Sequence, residues 1–504
     1  MADNILSRVK RILWAACFLS LPVTNFPYFP PGFGGKVSVR PLLIYPLILL
    51  IILVTIPAMF KRRLPSIWLP FLVFIVLAVF SSTLPVINGF VSEIKEVSVF
   101  SRTVRTVITL GLGAAIYLTV SIYPRDEENL SFALKWLYIG MAVALLWGTL
   151  QVLYTQDLIP GWYKIMRKAQ KHISINRGDV NRIIGMTQEP SWFADQISAL
   201  WLPWLFPAVL LNTTVFRKRW GWLTLEKLFF VWLLSVLVFT LSRGGLVVAA
   251  AVIGAGVVFF RGKGTINIPK SLSGFPRKVY NLWLKIPGVV RLILVGGVLA
   301  AGAAGVIYFV SLQSSYISRM WEYWIKPSGK VAVIGSKSLS GYFRYVGFGP
   351  RFINWETAYL IFKNRPLFGV GLGNYTFHFL ENLPAVSIGY EPEILSRLVP
   401  GNLRVITPKN YLARLLAETG FLGTAAFLTF LMVLTLGGLY LWLAEERVIK
   451  FWGAGALLGI FAFLVDTFSY DSFAIPNPWI VFGLITAAVR VYHQPDQRTE
   501  ITSE

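Results

Sequence analysis

Long apolar runs broken by short polar segments dominate the chain. They lie at 11–26, 39–60, 64–87, 103–123, 131–154, 192–211, 223–242, 244–260, 292–312, 421–443, 450–469 and 476–492. A helix needs about 20 mostly apolar residues to cross the hydrocarbon core of a bilayer. The pattern therefore predicts about twelve spanning helices, the first and eighth of them short. No segment alternates as a half-buried strand does, and no internal repeat is evident. The expected fold class is an all-α polytopic membrane protein. Residues 1–312 carry nine helices, 313–420 form a large, partly helical loop, 421–492 carry three more helices, and 493–504 are a tail. Within the loop, Phe352–Lys363 has helical apolar spacing, Asn364–Asn374 is rich in turn residues, and Thr407-Pro408 reads as an N-cap and first helical position.

Composition agrees with this class. Hydrophobic residues make up 55% of the chain and charged ones 14%, with a mean hydropathy of +0.63; soluble domains carry about 25% charged residues. The net charge of +23 would suggest nucleic acid in a soluble protein. In a membrane protein, topology and anionic headgroups account for most of it, and no nucleic-acid partner is expected. The single cysteine, Cys17, excludes an intrachain disulfide. The apolar run before it is too short for a signal peptide, so 12–25 read as part of an uncleaved helix.

The positive-inside rule orients the chain. With both termini cytoplasmic, the inner loops receive Lys61-Arg62-Arg63, Arg217-Lys218-Arg219 and segment 261–291, which has seven Lys/Arg and no acid. The outer face then receives 27–38, 88–102, 155–191, a tight turn at Ser242-Arg243, 313–420 and 470–475. Two of these outer segments are basic. Residues 155–191 hold Lys164, Arg167, Lys168, Lys171, Arg177 and Arg182 against three acids, and 313–420 hold twelve Lys/Arg against six Asp/Glu. Topology disfavours outer cations, so they point to an anionic ligand, or to outer-leaflet headgroups.

Four segments in this order resemble the O-antigen ligase/polymerase superfamily of bacterial membrane glycosyltransferases: Arg182-x-x-Gly185-x-x-x-Glu189-Pro-Ser-Trp-Phe-Ala194; Phe239-Thr-Leu-Ser242-Arg243-Gly244-Gly245; Trp355-Glu-Thr-Ala with Asn364–Tyr375; and Lys409-Asn410-x9-Gly420-x-x-Gly423. The resemblance covers roughly 180–425. It implies a GT-C-like membrane fold in the bacterial inner membrane, acting at its outer face. The implied reaction moves a glycan from undecaprenyl pyrophosphate to an acceptor hydroxyl on a glycan or lipid, without metal or cofactor and alongside chain-length or export proteins. The family pattern has histidine where this chain has Lys409, so the usual base does not carry over. His172, His378 and His493 all lie elsewhere.

Such a reaction needs cations where charge develops on the leaving pyrophosphate. Arg243 is the leading candidate, flanked by Gly244-Gly245, which admit close approach of a phosphate. Arg182 and Arg351 are candidate phosphate clamps, and Arg344, Asn410 and Arg414 are further substrate-binding candidates. Arg414 and Glu418 also have the spacing of a helical ion pair. Lys409 is a cation or a base, and Glu189 is a base or an ion-pair partner of Arg182 or Arg243. Asp195 and Asp466, inside spans, are expected partners for arginines. Gly369-x-Gly371-x-Gly373 reads as a turn, and Phe368, Tyr375, Phe377 and Phe379 as packing residues. Polymerase, ligase, a glycolipid transporter and a non-catalytic assembly partner all remain open readings, with Glu189-Pro-Ser favouring a polymerase.

Overall fold

The computed structural model describes residues 2–29, 39–61, 65–94, 96–216, 219–220, 223–259, 322–324, 342, 345–384, 392–399 and 405–493. The predicted ninth span at 292–312, the basic segment 261–291, Arg344 and the tail beyond 493 lie outside them. The described residues are mainly helical. In order they form α1 (Ala2–Ser20), α2 (Ile44–Leu50 and Ile56–Lys61 around a π turn), α3 (Leu69–Ile87), α4 (Val99–Ile122), α5 (Glu127–Thr155) and α6 (Trp162–Gln170). Next come α7 (Pro190–Leu211, with a π turn at Gln196–Trp201), α8 (Leu225–Phe239) and α9 (Arg243–Phe259). The last group is α10 (Gly349–Asn364), α11 (Tyr375–His378), α12 (Pro392–Leu398), α13 (Tyr411–Leu443), α14 (Arg447–Asp466) and α15 (Pro476–His493). Among the described residues, six helices are long and apolar enough to cross a membrane: α3, α4, α5, α7, α13 and α14. Apolar helices also occupy Ile44–Phe60 and Arg243–Phe259. Two antiparallel hairpins, Glu93–Ile94 with Val97–Ser98 and Arg219–Trp220 with Leu223–Thr224, are too short to leave an alternating pattern in the sequence.

Packing follows from which faces are apolar on both sides. In α7, 89% of the most apolar window is buried, so this helix runs through the middle of the bundle. In α3 and α13 only 33% and 39% are buried, and residues such as Val76, Phe80, Met432 and Leu436 face outward. In a soluble protein that much exposed apolar surface would drive aggregation; here it is the surface expected against lipid. The core is rich in tryptophan, with Trp14, Trp201, Trp204, Trp452 and Trp479 fully buried. Gly245 lets α9 reach α7, since a Cβ there would stand 2.4 Å from that of Ala194.

Two starts differ from the expected boundaries. The helix α4 begins at Val99, with Ser98 Oγ accepting from Ser101 N at 3.2 Å, and this draws Arg102 into the first turn. The cap of α13 is Asn410, not Thr407: Asn410 Oδ1 accepts from Ala413 N at 2.8 Å, and Lys409 sits in the left-handed region at φ 52°, which helix cannot pass through. Such caps contribute about 1 kcal/mol each.

The predicted turn at 364–374 packs into a break in α13. Gly420 has φ 65° and ψ −163°, which interrupts the helix. The freed amides of Phe421 and Leu422 donate to Pro366 O and Leu367 O at 2.7 and 3.2 Å. In return Val370 N and Gly371 N donate to Ala417 O and Glu418 O at 3.0 and 2.8 Å. A Cβ at Gly420 would lie 2.5 Å from the Leu367 carbonyl. We expect Gly420→Ala to destabilise the protein by about 2 kcal/mol or more, from the left-handed backbone and this clash together; thermal unfolding in detergent would measure it.

Candidate functional site

One end of the bundle gathers the polar chemistry. The N-termini of α4, α7, α9 and α13 come together there with the end of α14, around the turn that follows it. An N-terminus carries partial positive charge and unpaired amides.

The turn after α14 organises the side chains. Thr467 O accepts from Tyr411 N at 3.0 Å, joining α14 to α13. Phe468 O accepts from the Arg351 guanidinium, and the Phe468 ring packs on Trp355 at 5.2 Å. Ser469 Oγ lies 3.3 and 3.4 Å from the two Asp195 carboxylate oxygens. Asp471 Oδ2 accepts from Lys409 N at 2.8 Å, and Asp471 O accepts from Arg414 Nη1. Arg414 also lies over the Phe473 ring at 4.6 Å.

Two groups of residues flank this turn. On one side are Asp195 and Asp466, 4% and 1% exposed, whose carboxyl groups face each other. Arg351 is the cation within electrostatic reach of both. Arg243 starts α9 near the same turn: a Cβ on its neighbour Gly244 would be 3.8 Å from Ser469 Oγ, and one on Gly347 would be 4.0 Å from Arg243 Nη2. Glu189, exposed at the N-cap of α7, is within electrostatic reach of Asp195 and leaves its carboxylate out of the cap.

On the other side, Arg414 Nε donates to Glu418 at 2.9 Å, forming the helical pair that the spacing predicts. Both side chains are buried, at 7% and 2% exposure. Lys409 Nζ pairs with Glu393 on α12, and Arg397 lies 3.5 Å from the same carboxylate. Asn410 is committed to its cap. Burial pushes the Glu393 carboxyl up, but the Lys409 ammonium, then Arg397 and Arg351, outweigh it and hold Glu393 below its ordinary value.

Arg182 lies 3.4 Å from Asp179 in the preceding loop. The histidines are elsewhere. His172 hydrogen-bonds Tyr28 at 2.8 Å, and His493 packs on Tyr440. His378 stacks on Phe90 in a cleft of about 400 Å³ that Arg365 also lines. Tyr375, Phe377 and Phe379 are buried, in keeping with a packing role.

Three contributors escaped sequence reasoning: Glu393, Asp471 and Arg102. Glu393 and Asp471 pair with Lys409 across 16 and 62 residues, and no local spacing announces such contacts. Arg102 was legible in principle, as a cation at the end of an outer loop, but the predicted span began one residue too late to include it. The sequence matches no protein-family model and no curated protein.

Two predictions follow from the ion pairs. Removing one partner of a buried pair strands the other's charge. Arg414→Met should therefore destabilise by about 3–5 kcal/mol, and Arg414→Met with Glu418→Leu should recover most of the loss, measured by unfolding in detergent. Glu393 behaves oppositely to a raised base. Its depressed folded value means that its contribution is present above the ordinary value of 4.5 and is lost as pH falls through the lower, folded one. Wild type should lose thermal stability over that acid range more steeply than Glu393→Gln.

Proposed function

We propose that this protein is a membrane glycosyltransferase that moves a glycan from a polyprenyl pyrophosphate to an acceptor hydroxyl, and that it lengthens the glycan as an O-antigen or exopolysaccharide polymerase does. The observation that carries this reading is the gathering of Arg243, Arg351, Lys409 and Arg414 around one turn at one end of an apolar bundle, where four helix N-termini also meet. The four sequence segments that resemble the O-antigen ligase/polymerase superfamily supply most of these residues, and the Glu189-Pro-Ser segment favours a polymerase.

The chemistry follows from charge. As the acceptor oxygen bonds to the anomeric carbon, the bond from that carbon to the phosphate oxygen breaks, and polyprenyl pyrophosphate leaves with the electron pair. Fixed cations in a poorly hydrated site stabilise that developing charge. Arg243 and Arg351 have the bidentate geometry for phosphate oxygens. Lys409, already ion-paired with Glu393, acts as a cation and not as the base. Glu189, whose carboxylate is exposed and unused by its helix cap, takes the acceptor's proton. The bilayer holds the polyprenyl chain, and the site faces the exterior of a bacterial inner membrane.

The test is glycan lengthening in proteoliposomes given polyprenyl-pyrophosphate-linked repeat units. Arg243→Ala should slow lengthening about 100-fold or more, and Glu189→Gln about 100-fold, with protein levels unchanged. Product on a non-glycan acceptor with no lengthening would make the protein a ligase. Glycolipid crossing the bilayer with no transfer to any acceptor would replace the enzyme reading with transport.

A further inference from the structure

Arg102 has a different standing from the other arginines of the cluster. Arg414 is engaged by Glu418, Asp471 O and the Phe473 ring. Arg351 donates to Phe468 O. Arg102 is half-buried in the first turn of α4, and its Nε is fully enclosed with no hydrogen-bond partner. The side chain is within electrostatic reach of Arg414, Glu418, Asp471 and Arg105. The acids there are already engaged: Glu418 Oε2 by Arg414, and Asp471 Oδ2 by the Lys409 amide. With three arginines against two carboxylates, this corner carries one positive charge in excess.

A guanidinium has five donors and cannot shed its proton in a protein. Enclosing even one of its N–H groups without an acceptor is costly. The surrounding residues also hold it in place. The Arg102 Cγ lies where a Cβ on Gly373 would come within 3.1 Å, Thr103 Oγ1 donates to Asn374 Oδ1 at 3.2 Å, and Thr106 Oγ1 donates to Arg102 O at 2.9 Å. Gly373 has φ 82°, and Asn374 is fully buried. The 369–374 turn is thus pressed against α4 beside the Arg102 side chain.

We infer that Arg102 forms part of an anion site that binds a phosphoryl oxyanion beside the Arg414–Glu418 pair. This deepens the transferase reading and rests on it only for the identity of the natural ligand, which is the headgroup of a polyprenyl pyrophosphate; a free phosphate or pyrophosphate offers the same oxygens.

The experiment uses the full chain in nanodiscs of phosphatidylcholine, with farnesyl pyrophosphate and inorganic pyrophosphate as separate probes and Kd read by isothermal titration. Arg102→Gln should weaken farnesyl pyrophosphate binding at least tenfold, Arg102→Lys less, and Arg11→Gln, whose ion pair with Glu128 lies at the other end of the bundle, less than twofold. Equal affinity for the two probes would assign the site to free pyrophosphate; preference for the farnesyl probe assigns it to a lipid headgroup. Thermal unfolding without probe separates ligand binding from structure. An arginine that holds the fold together would lower the melting temperature when removed, whereas Arg102→Gln should leave it unchanged or raise it. The proposal is overturned if Arg102→Gln binds both probes as wild type does, or if it lowers the unliganded melting temperature by as much as Arg414→Met does. If binding depends on Arg102 while no glycan is transferred to any acceptor, the anion site stands and the transferase reading fails.

Discussion

The Arg414–Glu418 pair is the constraint on which this end of the molecule depends. Two charges removed from water cost several kcal/mol each unless their hydrogen-bonding capacity is met. In this bundle it is met chiefly by one short turn. Asp471 supplies a carbonyl to Arg414 and a carboxylate oxygen to the Lys409 amide, and Phe473 supplies a ring face. The same turn accepts from Tyr411 and Arg351 and reaches Asp195 through Ser469. A displacement that improved one of these contacts would break another, so the starts of α7, α10 and α13 are fixed relative to each other by the requirement that the buried charges stay satisfied.

That rigidity bears on chemistry. Cations that stabilise a developing negative charge work best when they are oriented before the reaction, because no solvent then has to reorganise. Here acids do the orienting. Glu418 holds Arg414, and Glu393 holds Lys409. Asp195 and Asp466 stand within electrostatic reach of Arg351. The acids subtract charge but convert flexible side chains into a shaped surface. The backbone contributes as well: the break at Gly420 lets the 366–371 segment pair with α13, which sets the turn carrying Gly373 and Asn374 against α4.

Much of the architecture was legible because its cause is local. Apolar runs long enough to span a bilayer give helices wherever they occur, and the six long apolar helices of the described residues all fall on predicted spans. The turn at 364–374, the helix over 352–363 and the Arg414–Glu418 pair were legible for the same reason: turn residues, helical periodicity and i,i+4 spacing act over a few positions. Helix starts were less legible, since a cap depends on which polar side chain can reach an amide. Asn410 does so and Thr407 does not, because Lys409 between them is left-handed. Within the candidate site the cations drew attention by being out of place in an apolar chain, while acids such as Asp471 and Glu393 did not. Their role depends on the register of distant helices, which no local pattern encodes.

Cations occur at both ends of the bundle, so their number alone carries little functional weight. Arg11 pairs with Glu128 at the other end with side-chain exposures of 45% and 78%, a solvated pair of the kind that topology bias alone produces. Arg414 and Glu418 are 7% and 2% exposed. Headgroup attraction needs charge at the surface and gives no reason to bury it. A surface-lipid explanation therefore accounts for Arg11 and leaves Arg414, the enclosed Arg102 Nε and the acids that position their neighbours unexplained. Under the transferase proposal that burial has a use, because cations held out of water act more strongly on an anionic headgroup brought to them.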